Sequence, residues 1–351
     1  MTQPRPFCSQ PWSTLYIQWD GKVTRPCIRG PQNLGAIQPE TDLVEFWNND
    51  LLRSVRESVR NGENLSAACA GCHKDRARTI DHLTPFADNL ASFSFEQIDN
   101  YYEAMGNYES GSASVSNRPV ALILDLSSKC QIRCPKCFVY NSDLQYGLGH
   151  MTMETFGKII PLLKTAFQVI GHENGESMLN KNFMQMTQLI KENGCRFSFN
   201  TTGQLLSEEK SRMLVELGVD QIMFSIDSIE AEKYAVLHKG GTLQKLMDNL
   251  TTLNRLKVEH GAKNPLLGWY FVASRSNITE LPSIIDKAAE LNFNSMYISP
   301  LNRPSSEQWK SYWDYYRSEN LQRTAQDVEL YEGAIDKARA LTRERNIILY
   351  T

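Results

Sequence analysis

The sequence predicts an α/β chain: a parallel sheet with helices between its strands, either a partial barrel or a doubly wound sheet, preceded by a small cysteine-rich hairpin-plus-helix module. Three observations carry this. From Pro119 onward, short β-rich runs alternate with amphipathic helical patterns. Near the start, Asp20-Gly21 sits between two β-rich runs, a strong hairpin signal. The eight cysteines are also uneven: Cys8, Cys27, Cys69 and Cys72 fall early, Cys130, Cys134 and Cys137 form a tight triplet, and Cys195 stands alone.

At 351 residues the chain has room for about two domains. Hydrophobic residues at 41% and charged residues at 22% are globular values, which excludes a disordered, collagen-like or coiled-coil chain. The net charge of −3 speaks against a nucleic-acid or anionic-membrane binder acting through bulk charge. No apolar run reaches the ~20 residues of a membrane span, and the N-terminal residues lack the apolar stretch of a signal peptide. The expected location is the cytoplasm. In that reducing compartment clustered cysteines hold metal more often than disulfides.

Four segments are expected: a cysteine module at 1–73, a linker with one helix at 74–118, the β/α region at 119–303 and a helical extension at 304–351. In the first, Thr14–Trp19 and Lys22–Pro26 read as strands around a two-residue Asp-Gly turn, a register that sets Thr14 opposite Cys27. One helix is expected from Asp42 to Arg60, with Leu43, Phe46, Trp47, Leu51, Val55 and Val59 on its apolar face and Asn61-Gly62 as its stop. A helix from Ser94 to Met105 precedes small polar residues that read as linker. The six strands of the β/α region are Val120–Leu126, Phe167–Gly171, Arg196–Thr201, Gln221–Ile226, Gly268–Ala273 and Ser295–Ser299. Helical patterns between them include Ser207–Leu217, Leu243–Glu259 and Ile278–Leu291. In either architecture chemistry belongs at the C-terminal strand ends.

Cys130-Gln-Ile-Arg-Cys134-Pro-Lys-Cys137 begins directly after the first of these strands. Three thiolates can hold three irons of a [4Fe–4S] cluster and leave the fourth open to a ligand. A zinc knuckle is the competing reading, but closed zinc sites take four ligands and no neighbour completes this one. The C-x3-C-x2-C spacing resembles that of the radical S-adenosylmethionine (radical SAM) enzymes, and the likeness spans about residues 119–300. It implies a partial (β/α)6 TIM-like barrel. Asn174-Gly175-Glu176-Ser177 is similar to the family's Gly-Gly-Glu-Pro motif, in which the carboxylate binds the cofactor's amino group. Asn200-Thr201-Thr202-Gly203, Ser225-Ile-Asp227 and His238-Lys239-Gly240-Gly241 stand where the family has further cofactor-binding residues. The resemblance thus implies Cys130, Cys134 and Cys137 as the catalytic cluster ligands, and Phe138, Gly175, Glu176, Thr202, Ser225, Asp227 and Lys239 as cofactor-binding residues. Lys136 occupies the position of a common adenine-packing aromatic, hence the choice of Phe138. Glu176 as a solvated acid and Asp227 as a helix cap are the structural alternatives. Cys195 reads as a buried small hydrophobe.

The early cysteines, with Pro11-Trp12, Asp20-Gly21, Leu34-Gly35 and Trp47-Asn48 between them, resemble the auxiliary-cluster modules called SPASM and twitch. Cys8, Cys27, Cys69 and Cys72 are then the ligands of one auxiliary [4Fe–4S] cluster, with a four-cysteine zinc site as the alternative. The resemblance implies an enzyme, an oxidoreductase or a related radical catalyst. An electron from a flavodoxin or ferredoxin cleaves S-adenosylmethionine to a 5′-deoxyadenosyl radical, which takes hydrogen from an unactivated carbon. The expected reaction is net oxidation of a small polar metabolite, sugar-like or aminoglycoside-like. A maturase acting on a ribosomally synthesised peptide, or a non-catalytic metal-binding scaffold, are the alternatives. No nucleic-acid or membrane partner is expected.

Overall fold

The computed structural model describes residues 8–24, 33–38, 41–63, 90–141, 147–171, 174–303 and 310–351. Cys27, Cys69 and Cys72 fall outside them. The chain divides into two units, Met1–Leu126 with Gly149–Glu173 and Gln185–Phe197, and Ser127–Leu148 with Asn174–Met184 and Ser198–Thr351. No helix among the described residues is long and apolar enough to cross a membrane.

In the first unit β1 (Thr14–Ile17), β2 (Lys22–Thr24) and β3 (Asn33–Ala36) form an antiparallel set. β1 also runs parallel to β4 (Ala121–Leu124), which pairs in parallel with β5 (Gln168–Ile170). The hairpin register departs from the expected one: Tyr16 faces Thr24 and Ile17 faces Val23. Trp19 joins Asp20 and Gly21 in a three-residue loop, closed by Gln18 N–H to the Lys22 carbonyl. Gly21 takes φ +82° at its third position, which fits a turn followed by a left-handed residue. The pairing is thus shifted by one residue from the expected register, and Cys27, predicted to face Thr14, lies outside the described residues.

The expected long helix is two pieces, Leu43–Phe46 and Asp50–Arg60, each with its own side-chain cap, Asp42 and Asn49. Between them Asn48 exchanges both hydrogen bonds with the Val115 backbone, 2.8 and 2.9 Å. The break changes the helical phase, so that Leu52 is buried and Leu51 is 53% exposed. The predicted linker is packed as well. A helix from Phe95 to Ser110 starts with a Ser94–Gln97 capping box and ends at left-handed Gly111. Tyr108, Val115 and Asn117 beyond its expected end are buried, and Asn117 Nδ2 donates to the Trp12 carbonyl at 2.9 Å. Cys195 is buried with its thiol toward the Leu163 and Ala166 carbonyls, as a small core residue.

The second unit is built on parallel strands: the later residues of β6 (Arg196–Thr201), β7 (Gln221–Ser225), β8 (Leu266–Ala273), β9 (Ser295–Pro300) and β10 (Ile348–Tyr350). Helices Glu208–Glu216, Ala231–Leu237, Leu243–Glu259 and Leu281–Glu290 lie between them. Phe199, Phe224, Trp269 and Phe271 on the strands are fully buried, so the sheet carries the core. β10 was not expected. It follows the long helix Ala325–Glu344 and adds a parallel edge to β9. Six strands with their following helices, β4 to β9, give the partial (β/α)6 TIM-like barrel order, preceded by the hairpin-plus-helix module.

Candidate cofactor and cluster site

All the described residues singled out around the triplet belong to the second unit. The cysteine segment is shaped by its own polar contacts. Cys130 N–H donates to Tyr140 Oη, whose hydroxyl donates back to the Cys130 carbonyl at 3.0 Å. Arg133 lies over the Tyr140 ring at 4.0 Å. Cys137 N–H closes a turn on the Cys134 carbonyl, and Arg133 N–H reaches the Lys239 carbonyl at 2.7 Å. None of the three cysteines forms a disulfide. Burial, first of all causes, pushes each of them up, Cys130 to about 12. Such thiols become thiolates when a metal supplies the compensating charge. Among the described residues no three His, Cys, Asp or Glu side chains are close enough to hold a single metal ion. A cubane cluster takes one cysteine per iron, so its ligands need not meet at one point.

Glu176 stands over this segment. Gly175 adopts φ +67°, and a Cβ there would lie 2.5 Å from the Ser127 and Lys129 carbonyl oxygens. Only glycine permits that approach, which lets Glu176 N–H donate to the Lys129 carbonyl at 2.8 Å. The Glu176 side chain is fully buried, against the solvated-loop alternative. Its Oε2 accepts from Thr201 Oγ1 (3.1 Å), Thr202 N–H (2.8 Å) and Thr202 Oγ1 (2.9 Å). Gln131 Nε2 donates to Thr202 Oγ1 at 2.9 Å, which ties the carboxylate's donors to the cysteine segment. Oε1 is buried with no hydrogen-bond partner. Burial pushes the Glu176 carboxyl up, and the threonine donors together with the Met178 backbone N–H offset part of that. One oxygen saturated and the other held open is a receptor for a donor brought from outside, and an ammonium group fits it.

Asp227, a cofactor-binding residue by the resemblance, is held by partners within the chain. Its Oδ1 accepts from Val272 N–H at 2.9 Å, and its Oδ2 is paired with Lys136 Nζ and lies 3.0 Å from His238 Nε2. Burial would raise this carboxyl, but Lys136 and His238 overrule it and hold it well below the usual range. With both oxygens engaged, Asp227 anchors the cysteine segment through Lys136. It is not a helix cap either, since Glu230 stands at the start of helix Ala231–Leu237. Lys239 is exposed and contributes its carbonyl. The residue before it, His238, is buried, stacks on Tyr234 at 4.6 Å, and sets Nδ1 3.7 Å from Cys134 Sγ. Sequence reasoning missed His238, Thr201 and Lys136 as parts of the site. Ser225 is half-buried at the end of β7, and Phe138 opens helix Phe138–Asn141 with its side chain outside the description. In the first unit Cys8 is half-buried and forms no disulfide, the one member of its predicted quartet among the described residues.

Residues 124–268 match the radical SAM superfamily and residues 8–73 match SPASM, an iron–sulfur cluster-binding domain. Residues 124–268 thus carry a radical SAM domain, with the SPASM domain N-terminal to it. Its cofactors are a [4Fe–4S] cluster with S-adenosylmethionine, and auxiliary iron–sulfur at the SPASM domain. The cysteine triplet, the glycine cradle and the open Glu176 oxygen fit that pair. The chain is similar to the tungsten-containing aldehyde ferredoxin oxidoreductase cofactor-modifying protein of Pyrococcus furiosus, 28% identical over 53% of this chain and 53% of that protein. It is also similar to the Fe-coproporphyrin III synthase of Methanosarcina barkeri, 23% identical over 50% of this chain and 42% of that one. The chain thus spans about half the length of the curated relatives it matches. In fold it resembles Streptococcus suis SuiB bound to S-adenosylmethionine, with a TM-score of 0.52 and 15% identity over 96% of this chain and 71% of that one.

Proposed function

We propose that this chain is a radical SAM maturase that modifies a peptide. The observation that carries the chemistry is Glu176, buried and with one oxygen open, beside three cysteines that form no disulfide. When bound, the cluster and S-adenosylmethionine supply a carbon-centred radical that abstracts hydrogen from an unactivated carbon. The chain's own residues do the rest. Cys130, Cys134 and Cys137 hold the cluster, Glu176 Oε1 accepts from the cofactor's amino group, and Thr201 and Thr202 keep that carboxylate oriented. Lys136, Asp227 and His238 brace Cys134 and the segment around it. Cys8, Cys27, Cys69 and Cys72 would hold the auxiliary cluster, which would supply a redox centre for the substrate's electron in a net oxidation. A flavodoxin or ferredoxin supplies the first electron.

The peptide is favoured by a fold neighbour, SuiB, that was also solved bound to its precursor peptide SuiA, at a TM-score of 0.51 and 10% identity. The relative that modifies a cofactor supports a second reading, a protein-bound or free cofactor as substrate. Neither relative, nor SuiB, is named for a sugar-like substrate. The test is anaerobic reconstitution with dithionite, S-adenosylmethionine and the peptide encoded by any short reading frame beside the gene. Deoxyadenosine above background and a mass change in the peptide are expected. Absence of deoxyadenosine overturns the chemistry, and deoxyadenosine with an unmodified peptide but a modified cofactor precursor selects the second reading.

A further inference from the structure

His238 follows directly on helix Ala231–Leu237, and its backbone, at φ −123° and ψ 56°, turns the chain out of that helix. The carbonyl of the next residue, Lys239, accepts from Arg133 N–H, so the turn is fastened to the cysteine segment. The His238 side chain is fully buried. Tyr234, one turn earlier, covers a face of its ring, with centroids 4.6 Å and planes 14° apart. That phenol is held in turn. Its hydroxyl accepts from Gln204 Nε2 at 3.2 Å, and the Gln204 amide exchanges hydrogen bonds with the Thr242 backbone, 2.9 and 3.1 Å. The imidazole so placed presents two edges, with Nε2 at 3.0 Å from Asp227 Oδ2 and Nδ1 at 3.7 Å from Cys134 Sγ. Asp227 has partners without it, since Val272 N–H supplies Oδ1 and Lys136 Nζ supplies Oδ2. A leucine or phenylalanine would fill the same space against Tyr234 without the cost of burying two ring nitrogens. What an imidazole adds here is a polar edge turned toward sulfur.

We propose, on the radical SAM reading above, that His238 Nδ1 donates a hydrogen bond to the Cys134 sulfur when that sulfur binds iron, and so raises the reduction potential of the cluster. A thiolate on iron can only accept, and Nδ1 is the ring atom within reach of it. Hydrogen bonds to the sulfurs are among the means by which a protein sets a cluster's potential. They draw electron density from the sulfur and favour the reduced cluster, which carries one more negative charge. The stack on Tyr234 fixes the plane of the ring, so His238 is a positioning residue that acts through Cys134. The electron itself comes from the flavodoxin or ferredoxin of the proposed reaction. His238 changes how readily that electron is accepted and takes no part in bond breaking.

The test is a redox titration of the anaerobically reconstituted, untagged full chain, read by electron paramagnetic resonance in wild type, His238→Phe and His238→Gln. The signal that changes when S-adenosylmethionine is added belongs to the Cys130, Cys134 and Cys137 cluster, which separates it from auxiliary iron–sulfur. Phenylalanine keeps the stack on Tyr234 and loses the donor, whereas glutamine keeps a donor. At the wild-type midpoint, the ratio of reduced to oxidised cluster in His238→Phe is expected to fall about tenfold, a downshift of about 59 mV for one electron. His238→Gln should lie between the two. An unchanged midpoint in His238→Phe at wild-type iron content overturns the proposal. Should His238→Phe take up no iron, wild-type protein grown with ¹⁵N-histidine decides instead. Pulsed resonance should then show a histidine nitrogen coupled to the responsive cluster, and its absence overturns the proposal. A responsive cluster with neither shift nor coupling removes only the role of His238, and protein that forms no responsive cluster overturns the radical SAM reading with it.

Discussion

Each unit buries a charged side chain completely, and the two are treated in opposite ways. In the first, the Arg56 guanidinium donates to the carbonyls of Pro11 (2.9 Å), Ala113 (3.0 Å) and Trp47 (2.8 Å) and lies over the Trp47 ring at 4.6 Å. Burial pulls its pKa down to about 9, so it stays charged near neutrality. It is a cation used as a rivet between segments that have little regular structure of their own. In the second, all the donors to Glu176 crowd one oxygen and the other has none. A buried group that is fully paired explains stability, and one left half-paired points to something that arrives later.

The largest effect is expected at the triplet. Replacing Cys130, Cys134 and Cys137 together with alanine should abolish reductive cleavage of S-adenosylmethionine, read as deoxyadenosine with dithionite; cleavage at the wild-type rate would remove the segment from the chemistry. Next comes Arg56→Met, which leaves three carbonyls without their donor and should cost about 3–5 kcal/mol of unfolding free energy. Its mark is a fall in urea midpoint with S-adenosylmethionine affinity preserved in the folded fraction. Loss of affinity without loss of stability would reverse the roles assigned to the two units.

Asp227→Asn leaves the half-buried Lys136 without its carboxylate partner and should cost the apo-protein about 3 kcal/mol at pH 7. Because the folded Asp227 carboxyl sits below its unfolded value of ~3.9, its contribution is complete above that value and is lost as pH falls through the folded one. Urea midpoints of variant and wild type should therefore keep a constant gap from pH 7 down to about 4 and converge below it. A gap that ignores pH throughout would mean the ion pair contributes nothing. The smallest effect has the opposite sign. Glu176 has a raised folded pKa, so its ionised form costs stability as pH rises through that value. Glu176→Gln should then stabilise the apo-protein at neutral pH by about 1 kcal/mol, the scale of a relieved functional compromise, with the gain shrinking in acid. A destabilised variant would show that Oε1 is satisfied after all.

The strands and the triplet were legible in the sequence because both are written in local terms, alternation of apolar runs and a fixed cysteine spacing. What escaped depended on contacts made across the chain. Asp20-Gly21 announced a turn, but the same dipeptide serves two-residue and three-residue loops, and the choice shifted the register by one. The apolar period ran through Trp47 to Asn49 without interruption, and only Asn48 bonded to Val115 reveals the break. Small polar residues from Gly106 to Arg118 looked like linker because composition does not show that Asn117 and the Val115 backbone would be claimed by distant partners. At the site, Glu176 was found through its motif. Motif matching favoured Lys239 over His238 and treated Lys136 as a mere departure, since neither reading contains the fact that folding brings Asp227 to both.

The contrast between the satisfied cation and the half-satisfied anion is tested most directly by calorimetric titration of S-adenosylmethionine into anaerobically reconstituted wild-type and Glu176→Gln protein. In the variant, an amide replaces the open oxygen's charge at unchanged shape, and a charge-assisted hydrogen bond of about 1.5–3 kcal/mol is lost. The account predicts a dissociation constant raised about 10- to 100-fold. An affinity equal to wild type would contradict it, and would make the open Oε1 of Glu176 a feature of folding rather than of cofactor recognition.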